Sequence, residues 1–172
     1  MKVILIAALS ADGLLARDSD DFSMDWTSPE DMKLFVRLTK EAGVMVMGAR
    51  TFTTTIAAGR RLPGRKIVVY SSKSASAHNR TDPTEFTAEP PETLLMRLAG
   101  EGYQCVAICG GSAVYDMFLR AGLIDELYLT FEPVLFGAGV SLAKSPLDIR
   151  LKLIANQQLN ESTCMLHYEV QK

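Results

Sequence analysis

Four short stretches without a charged residue constrain this chain more than anything else in it. They are Val3–Leu9, Val44–Met47, Ile67–Tyr70 and Cys105–Cys109. A strand with one face in water alternates apolar and polar residues. These runs do not alternate, so they read as strands buried on both faces, the first extending over residues 2–9 with Lys2 at its head. Helical segments stand between and after them: Ser28 to Gly43, a short one through Thr51–Ala58, Pro91–Ala99 and Ser112–Ala121. Leu127–Val134 is a further strand. The chain ends on an antiparallel hairpin, roughly 149–158 and 163–170. In its second arm Cys164, Leu166, Tyr168 and Val170 alternate with Met165, His167 and Glu169. Residues 73–90 are polar and Pro-interrupted, a loop with at most one short edge strand. The order predicts a single α/β domain over 1–172, with a mostly parallel central sheet, helices on both faces and an antiparallel C-terminal hairpin. Ligands of such sheets bind at the carboxyl ends of the strands. Those ends are Ala8–Ser10, Gly48–Thr51, Ser71–Ser72 and Cys109–Ser112.

Trp26–Phe35, W-T-S-P-E-D-M-K-L-F, carries a helix start with a carboxylate in it. Ser28 is placed to cap, Pro29 to occupy the first helical position, and Glu30 and Asp31 to sit in the first turn. Met32, Phe35, Leu38 and Ala42 follow at helical spacing and predict a core-facing stripe. Asp31 lies one turn before Phe35, on the same side. Two readings follow from these residues. Thr27-x-x-Glu30 fits the capping-box pattern fully and Ser28-x-x-Asp31 fits it loosely, so Asp31 could serve the helix alone. A carboxyl beside an aromatic wall could instead hold the cationic edge of a flat heterocycle, or pass it a proton.

Composition narrows the classes of partner. The formal net charge of −2 and sequence pI of about 5.7 give no general attraction to nucleic acid or acidic membranes. No apolar run reaches the length of a membrane span, and M-K-V-I-L-I-A-A-L-S lacks the length and cleavage site of a signal peptide. The three cysteines, Cys105, Cys109 and Cys164, form no C-x-x-C pair, and His78 and His167 are far apart, so no metal site is expected. The reading is a cytoplasmic protein with structural thiols and a small-molecule partner, monomeric or homodimeric.

Cys109-Gly110-Gly111-Ser112-Ala113-Val114-Tyr115 is strand, paired glycines and helix start. Backbone without Cβ atoms lets a ligand approach, and free helix N–H groups can hold a phosphate. It is not the G-x-G-x-x-G fingerprint, and a tight turn explains a bare Gly-Gly equally well. Arg50-Thr51 after Gly48 and Ser71-Ser72 after the third strand put a guanidinium and hydroxyls at neighbouring strand ends. That set suits a phosphate monoester, with surface solvation as the plainer alternative. The cluster Arg60, Arg61, Arg65 and Lys66 could meet an anionic substrate tail.

Together these residues resemble dihydrofolate reductase along most of the chain, to about residue 134. The matching pieces run in order: Ile6-Ala7-Ala8, Trp26-x-x-Pro29-x-Asp31-x-x-x-Phe35, Val46-Met47-Gly48-x-Arg50-Thr51-Phe52, and Leu62-Pro63-Gly64-Arg65-Lys66. Ser71-Ser72, Gly110-Gly111-x-x-Val114-Tyr115 and Leu127-Tyr128-Leu129-Thr130 complete them. The resemblance implies hydride transfer from NADPH to a pterin ring, with proton delivery at the adjacent ring nitrogen. It assigns Asp31 as the ionisable group, Thr130 as its support and Trp26 as the residue ordering the neighbouring loop. Ile6, Ala8, Met32, Phe35, Ile56, Leu62, Cys109 and Tyr115 would line the substrate site, and Arg65 would hold a glutamate carboxylate. The cofactor would lie against Ala8, Leu15, Gly48, Arg50, Thr51, Ser71, Ser72 and Cys109 through Tyr115. Ala49 stands where the family usually has an arginine for the 2′-phosphate, leaving Arg50 and making NADH the alternative donor. The loop at 16–25 is longer than in typical members. Ser10-Ala11-Asp12-Gly13 and Pro133–Leu142 resemble a sister group, the reductase domain of riboflavin biosynthesis, which reduces a ribosylaminopyrimidine phosphate. A nucleotide-binding module without catalysis is the third reading.

Overall fold

The computed structural model describes residues 1–18, 21, 23–57, 59, 62–71 and 84–172, the side chains of Met24, Ile56 and Ala57 excepted. In chain order the strands are β1 (Lys2–Ser10), β2 (Leu14–Ala16), β3 (Val44–Gly48), β4 (Lys66–Tyr70), β5 (Thr84–Thr87), β6 (Cys105–Ile108), β7 (Glu126–Glu132), β8 (Val140–Ser141), β9 (Arg150–Gln158) and β10 (Cys164–Gln171). The helices are α1 (Pro29–Ala42), α2 (Ala49–Ala57), α3 (Pro91–Gly100) and α4 (Ser112–Arg120), with one 3₁₀ turn at Ser23–Asp25. Among the described residues eight strands form one sheet in the order β5-β4-β3-β6-β1-β7-β10-β9. Neighbours run parallel except β10, which is antiparallel to both β7 and β9.

The uniformly apolar strands divide their side chains between two cores. Val3, Leu5, Ala7 and Leu9 of β1 point to the face covered by α3 and α4, whose Leu94, Leu98, Val114, Phe118 and Leu119 are buried there. Ile4 and Ile6 point the other way, to Leu34, Leu38 and Ala42 of α1 and Phe52 of α2. The period-2 alternation thus survives as a choice between two apolar faces. Each helix contributes one apolar stripe to one face.

Several boundaries depart from the sequence reading, each for a visible reason. On α1 the buried apolar stripe is Leu34, Leu38 and Ala42, while Met32 and Phe35 are half-buried and face a cavity instead. α2 begins at Ala49, directly after the strand, and Thr53 Oγ1 donates back to the Ala49 carbonyl at 2.8 Å. β7 stops at Glu132 because Pro133 has no N–H to give the ladder and Val134 N–H turns back to the Glu132 carbonyl at 2.8 Å. Residues 12–16 and 136–141 show no strand pattern, yet β2 and β8 pair as a separate two-stranded ribbon. A Cβ at Gly139 would collide with the Ala16 carbonyl, so the ribbon closes only over a glycine.

Phe118 is fully buried at the centre of the α4 face. Phe118→Ala is expected to cost about 3–5 kcal/mol in chemical denaturation, the usual penalty for a core aromatic; a loss below about 1 kcal/mol would show that this face is loosely packed.

Candidate active site

A cavity of about 650 Å³ opens at the carboxyl ends of β1, β3, β4 and β6. Ala8, Gly48, Tyr70 and Cys109 mark those four ends on its wall. On one side Met32, Phe35 and Leu62 form an apolar flank beside Asp31. On the other, Gly110, Gly111, Ser112, Ala113 and Val114 bring the start of α4 to the same space, facing Arg50 and Thr51 of α2. Leu15 of β2 and Val140 of β8 close the rim, so the unforeseen ribbon belongs to the cavity wall.

The glycine pair is held from both sides. Gly48 N–H donates to the Gly110 carbonyl at 2.7 Å, and Cys109 N–H to the Val46 carbonyl at 2.8 Å. The Gly110–Gly111 peptide is cis, and Gly110 has φ +102°, a conformation that side chains disfavour. A Cβ on Gly111 would stand 3.2 Å from Thr51 Oγ1, and one on Gly110 3.2 Å from Tyr115 Oη. Tyr115 is itself pinned by donation from its hydroxyl to the Ile6 carbonyl at 2.6 Å, and burial raises its pKa well above the ordinary value. The N–H groups of a helix's first turn have no intrahelical acceptor. At α4 those of Ser112 and Ala113 are of this kind, and the helix dipole adds partial positive charge there. The arrangement can take an anionic phosphate bridge.

Asp31 sits in the first turn of α1 with only 8% of its surface exposed. Ser28 Oγ accepts the Asp31 N–H at 3.2 Å, so capping falls to Ser28 and leaves the Asp31 carboxyl for the cavity. Burial is the largest influence on that carboxyl and raises its pKa from 3.8 to about 6; the Thr130 hydroxyl partly offsets this, and the nearby Glu132 carboxylate adds to it. The group is therefore able to hold or release a proton close to neutral pH.

Other predicted residues fall off the cavity surface. Thr130 is buried behind Asp31, and Trp26 packs edge-on against Phe136 with ring centroids 5.1 Å apart. Arg65 is 4% exposed and does not line the cavity. Its guanidinium donates to the Pro63 and Val36 carbonyls at 3.4 Å and to the Thr39 hydroxyl, all neutral acceptors, and burial lowers its pKa. Ser71 directly follows β4, where its N–H donates to the Thr87 carbonyl, and is not part of the wall. Ser72, Arg60 and Arg61, and the side chain of Ile56, lie outside the described residues.

The sequence reading passed over Asp18, Asp21 and Ser23, which it treated as surface loop and which line the rim. Their acid-rich run just before Trp26 was the available signal. Lys144, also on the rim, had none: its N–H and that of Ser145 donate to Asp116 of α4 at 2.9 and 3.0 Å, a tertiary contact no local pattern encodes.

The mostly parallel sheet with its four helices and antiparallel C-terminal hairpin has the dihydrofolate reductase-like fold. Residues 1–165 match the RibD C-terminal domain family, and the chain belongs to that family. A dihydrofolate reductase from Haloferax volcanii, HdrB, is 30% identical over 128 residues, covering 72% of this chain and 63% of that protein. YwjB of Bacillus subtilis, uncharacterized, is 23% identical across 97% of both chains. Among solved structures, a putative riboflavin biosynthesis protein from Shewanella sp. PV-4 superposes with a TM-score of 0.86 at 22% identity, covering all of both chains. Dihydrofolate reductase from Enterococcus faecalis gives 0.73 at 21% identity, over 99% of this chain and 97% of that one. These structural likenesses establish the fold.

The raised Asp31 pKa has a cost in stability with a definite sign. The folded state holds this proton up to about pH 6, whereas the unfolded chain releases it near 4. Stability therefore falls as pH rises between those values and stays lower above them, by an amount on the order of 2–3 kcal/mol. Asp31→Asn is expected to be more stable than the parent by roughly 1–2 kcal/mol at pH 7.5, after allowing for a lost charge at the helix N-terminus, and equal to it near pH 4. Urea melts across this range check it; an Asn variant less stable at pH 7.5 would mean that Asp31 serves the helix and is not held as a buried acid.

Proposed function

We propose that this protein reduces 7,8-dihydrofolate to tetrahydrofolate with NADPH. The observation that carries the reading is the single wall shared by the buried Asp31 carboxyl, the apolar flank of Met32, Phe35 and Leu62, and the Gly110–Gly111 cradle. The glycines, whose Cβ atoms would meet Tyr115 and Thr51, let the start of α4 come close to the cavity, and the N–H groups of its first turn are available to a pyrophosphate. When bound there, NADPH supplies the hydride. Gly48, Thr51, Ser112, Ala113 and Val114 would hold it, with Ala8, Leu15, Cys109 and Tyr115 on the nicotinamide side. Arg50 would meet the adenosine phosphate. Arg50 alone replaces the arginine that Ala49 displaces, which makes NADH a weaker second donor.

The chain's own residues account for the rest. Ile6, Met32, Phe35 and Leu62 press on the ring and exclude water, keeping the Asp31 proton affinity high. Ionised Asp31 grips the amino edge of the pterin; protonated, it is the local source of the proton that the reduced ring nitrogen takes up. Thr130 fixes the carboxyl from behind. Trp26, packed on Phe136, fixes the loop from which Ser23 and Thr27 reach the rim. Arg65, a buried cation whose partners among the described residues are neutral, lies off the cavity wall and would have to turn outward to meet a carboxylate tail on the substrate.

A second reading rests on the family match over residues 1–165 and on the likeness to a putative riboflavin biosynthesis protein over all of both chains. In it the same carboxyl meets a ribosylaminopyrimidine phosphate. Loss of nicotinamide absorbance with each substrate, against NADPH and NADH, separates the two. Turnover of dihydrofolate with NADPH is expected. In Asp31→Asn, kcat should fall by roughly a hundredfold or more while NADPH affinity stays the same. Turnover of the pyrimidine alone moves the substrate to the second reading, and NADPH binding without turnover of either leaves a nucleotide-binding module.

A further inference from the structure

Glu132 is a carboxylate that the mechanism above does not use. It ends β7 at 2% exposure, paired with Ser10 of β1, and its side chain turns toward the start of α1. Oε1 accepts both the backbone N–H and the hydroxyl of Ser28, each at 2.8 Å. Oε2 accepts the hydroxyl of Thr163, itself buried just ahead of β10, also at 2.8 Å. The same Ser28 oxygen takes the Asp31 N–H. One carboxylate thus fastens three elements, and the middle link of that chain is the N-cap of the helix that presents Asp31.

We infer that Glu132 is a positioning residue for Asp31, setting both the place of its carboxyl through Ser28 and its affinity for a proton through an uncompensated negative charge. The three donors to Glu132 among the described residues are neutral, so they satisfy its oxygens without cancelling its charge. A like charge close by disfavours ionisation of a second carboxyl. Burial and Glu132 both act to keep the proton on Asp31, while Thr130 acts against them. Among the described residues the other ionisable groups on the cavity wall with Asp31 are Tyr115 and Cys109, both kept neutral because burial raises their pKa, and Tyr70, Asp18, Asp21, Arg50 and Lys144. Glu30, beside Asp31 in sequence, turns outward to Asn160 and Lys33. A structural staple needs only the hydrogen bonds of Glu132; the inference needs its charge.

Glu132→Gln separates these, since the amide keeps the acceptor for Ser28 and the contact with Thr163 but removes the charge. The inference takes its significance from the reading of Asp31 as proton donor. Its test is a carboxyl ¹³C titration of aspartate-labelled, ligand-free protein, which involves neither substrate nor cofactor. A wrong substrate would therefore leave the result standing, and a failed titration would leave the turnover assay standing. The Asp31 resonance, assigned with Asp31→Asn, is expected to titrate about one pH unit lower in E132Q than in the parent. The pH profile of kcat should move with it and KM should change little, while Glu132→Asp, which keeps a charge, should hold the parent value more closely. Should E132Q not fold, E132M/T163V removes the charge together with the hydroxyl otherwise left unpaired, and is read the same way. An Asp31 midpoint unchanged in a folded charge-free variant overturns the inference. Failure of both variants to fold overturns it too, by assigning Glu132 to the fold alone.

Discussion

A carboxyl group held out of water at the first turn of a helix is an expensive thing to build, and much of this molecule is arranged around doing so. Removing Asp31 from solvent raises its pKa to about 6. The apolar strands provide the wall that makes this possible, because β1 and β3 bury residues on both faces and end at the floor of the cavity. The helix provides the position. With Ser28 capping α1 and Glu132 tying Ser28 to β7, the first turn cannot drift away from the sheet edge. The stabilisation that pays for the buried acid comes from the two cores, where Phe118 on one face and Leu34 and Leu38 on the other are almost wholly enclosed.

The second half of the site depends on the absence of side chains. Gly48, Gly110 and Gly111 let β3, the loop after β6 and α4 approach within hydrogen-bonding distance, and any Cβ on the glycine pair would meet Tyr115 or Thr51. The acid and the glycine cradle come from distant parts of the sequence and share one wall only because β1 runs between β6 and β7. Strand order brings them together.

The strands were legible because runs such as Val44–Met47 admit no other placement than a doubly covered sheet, and α1 because Ser28, Pro29 and Gly43 punctuate it. The sense of its stripe was less so. Met32 and Phe35 share the helical period with Leu38, and hydrophobicity does not distinguish a residue facing a core from one facing a ligand cavity. The β2–β8 ribbon escaped because two- and three-residue strands carry no periodicity. Glu132 and Lys144 escaped because their partners, Ser28 and Asp116, lie 104 and 28 residues away. Arg65 was read as the holder of a substrate carboxylate, and its burial against Thr39 and the Pro63 carbonyl could not be seen from its neighbours in the chain.

The central claim is that one buried carboxyl, sharing a cavity with the glycine cradle, governs proton supply to the reduced ring. Single-turnover mixing of the NADPH-loaded protein with dihydrofolate, followed from pH 5 to 9, tests it most directly. The rate of nicotinamide oxidation is expected to be level below about pH 6 and to fall roughly tenfold per unit above it, with no such bend in Asp31→Asn. A rate indifferent to pH in the parent, or the same bend retained in Asp31→Asn, would contradict the account.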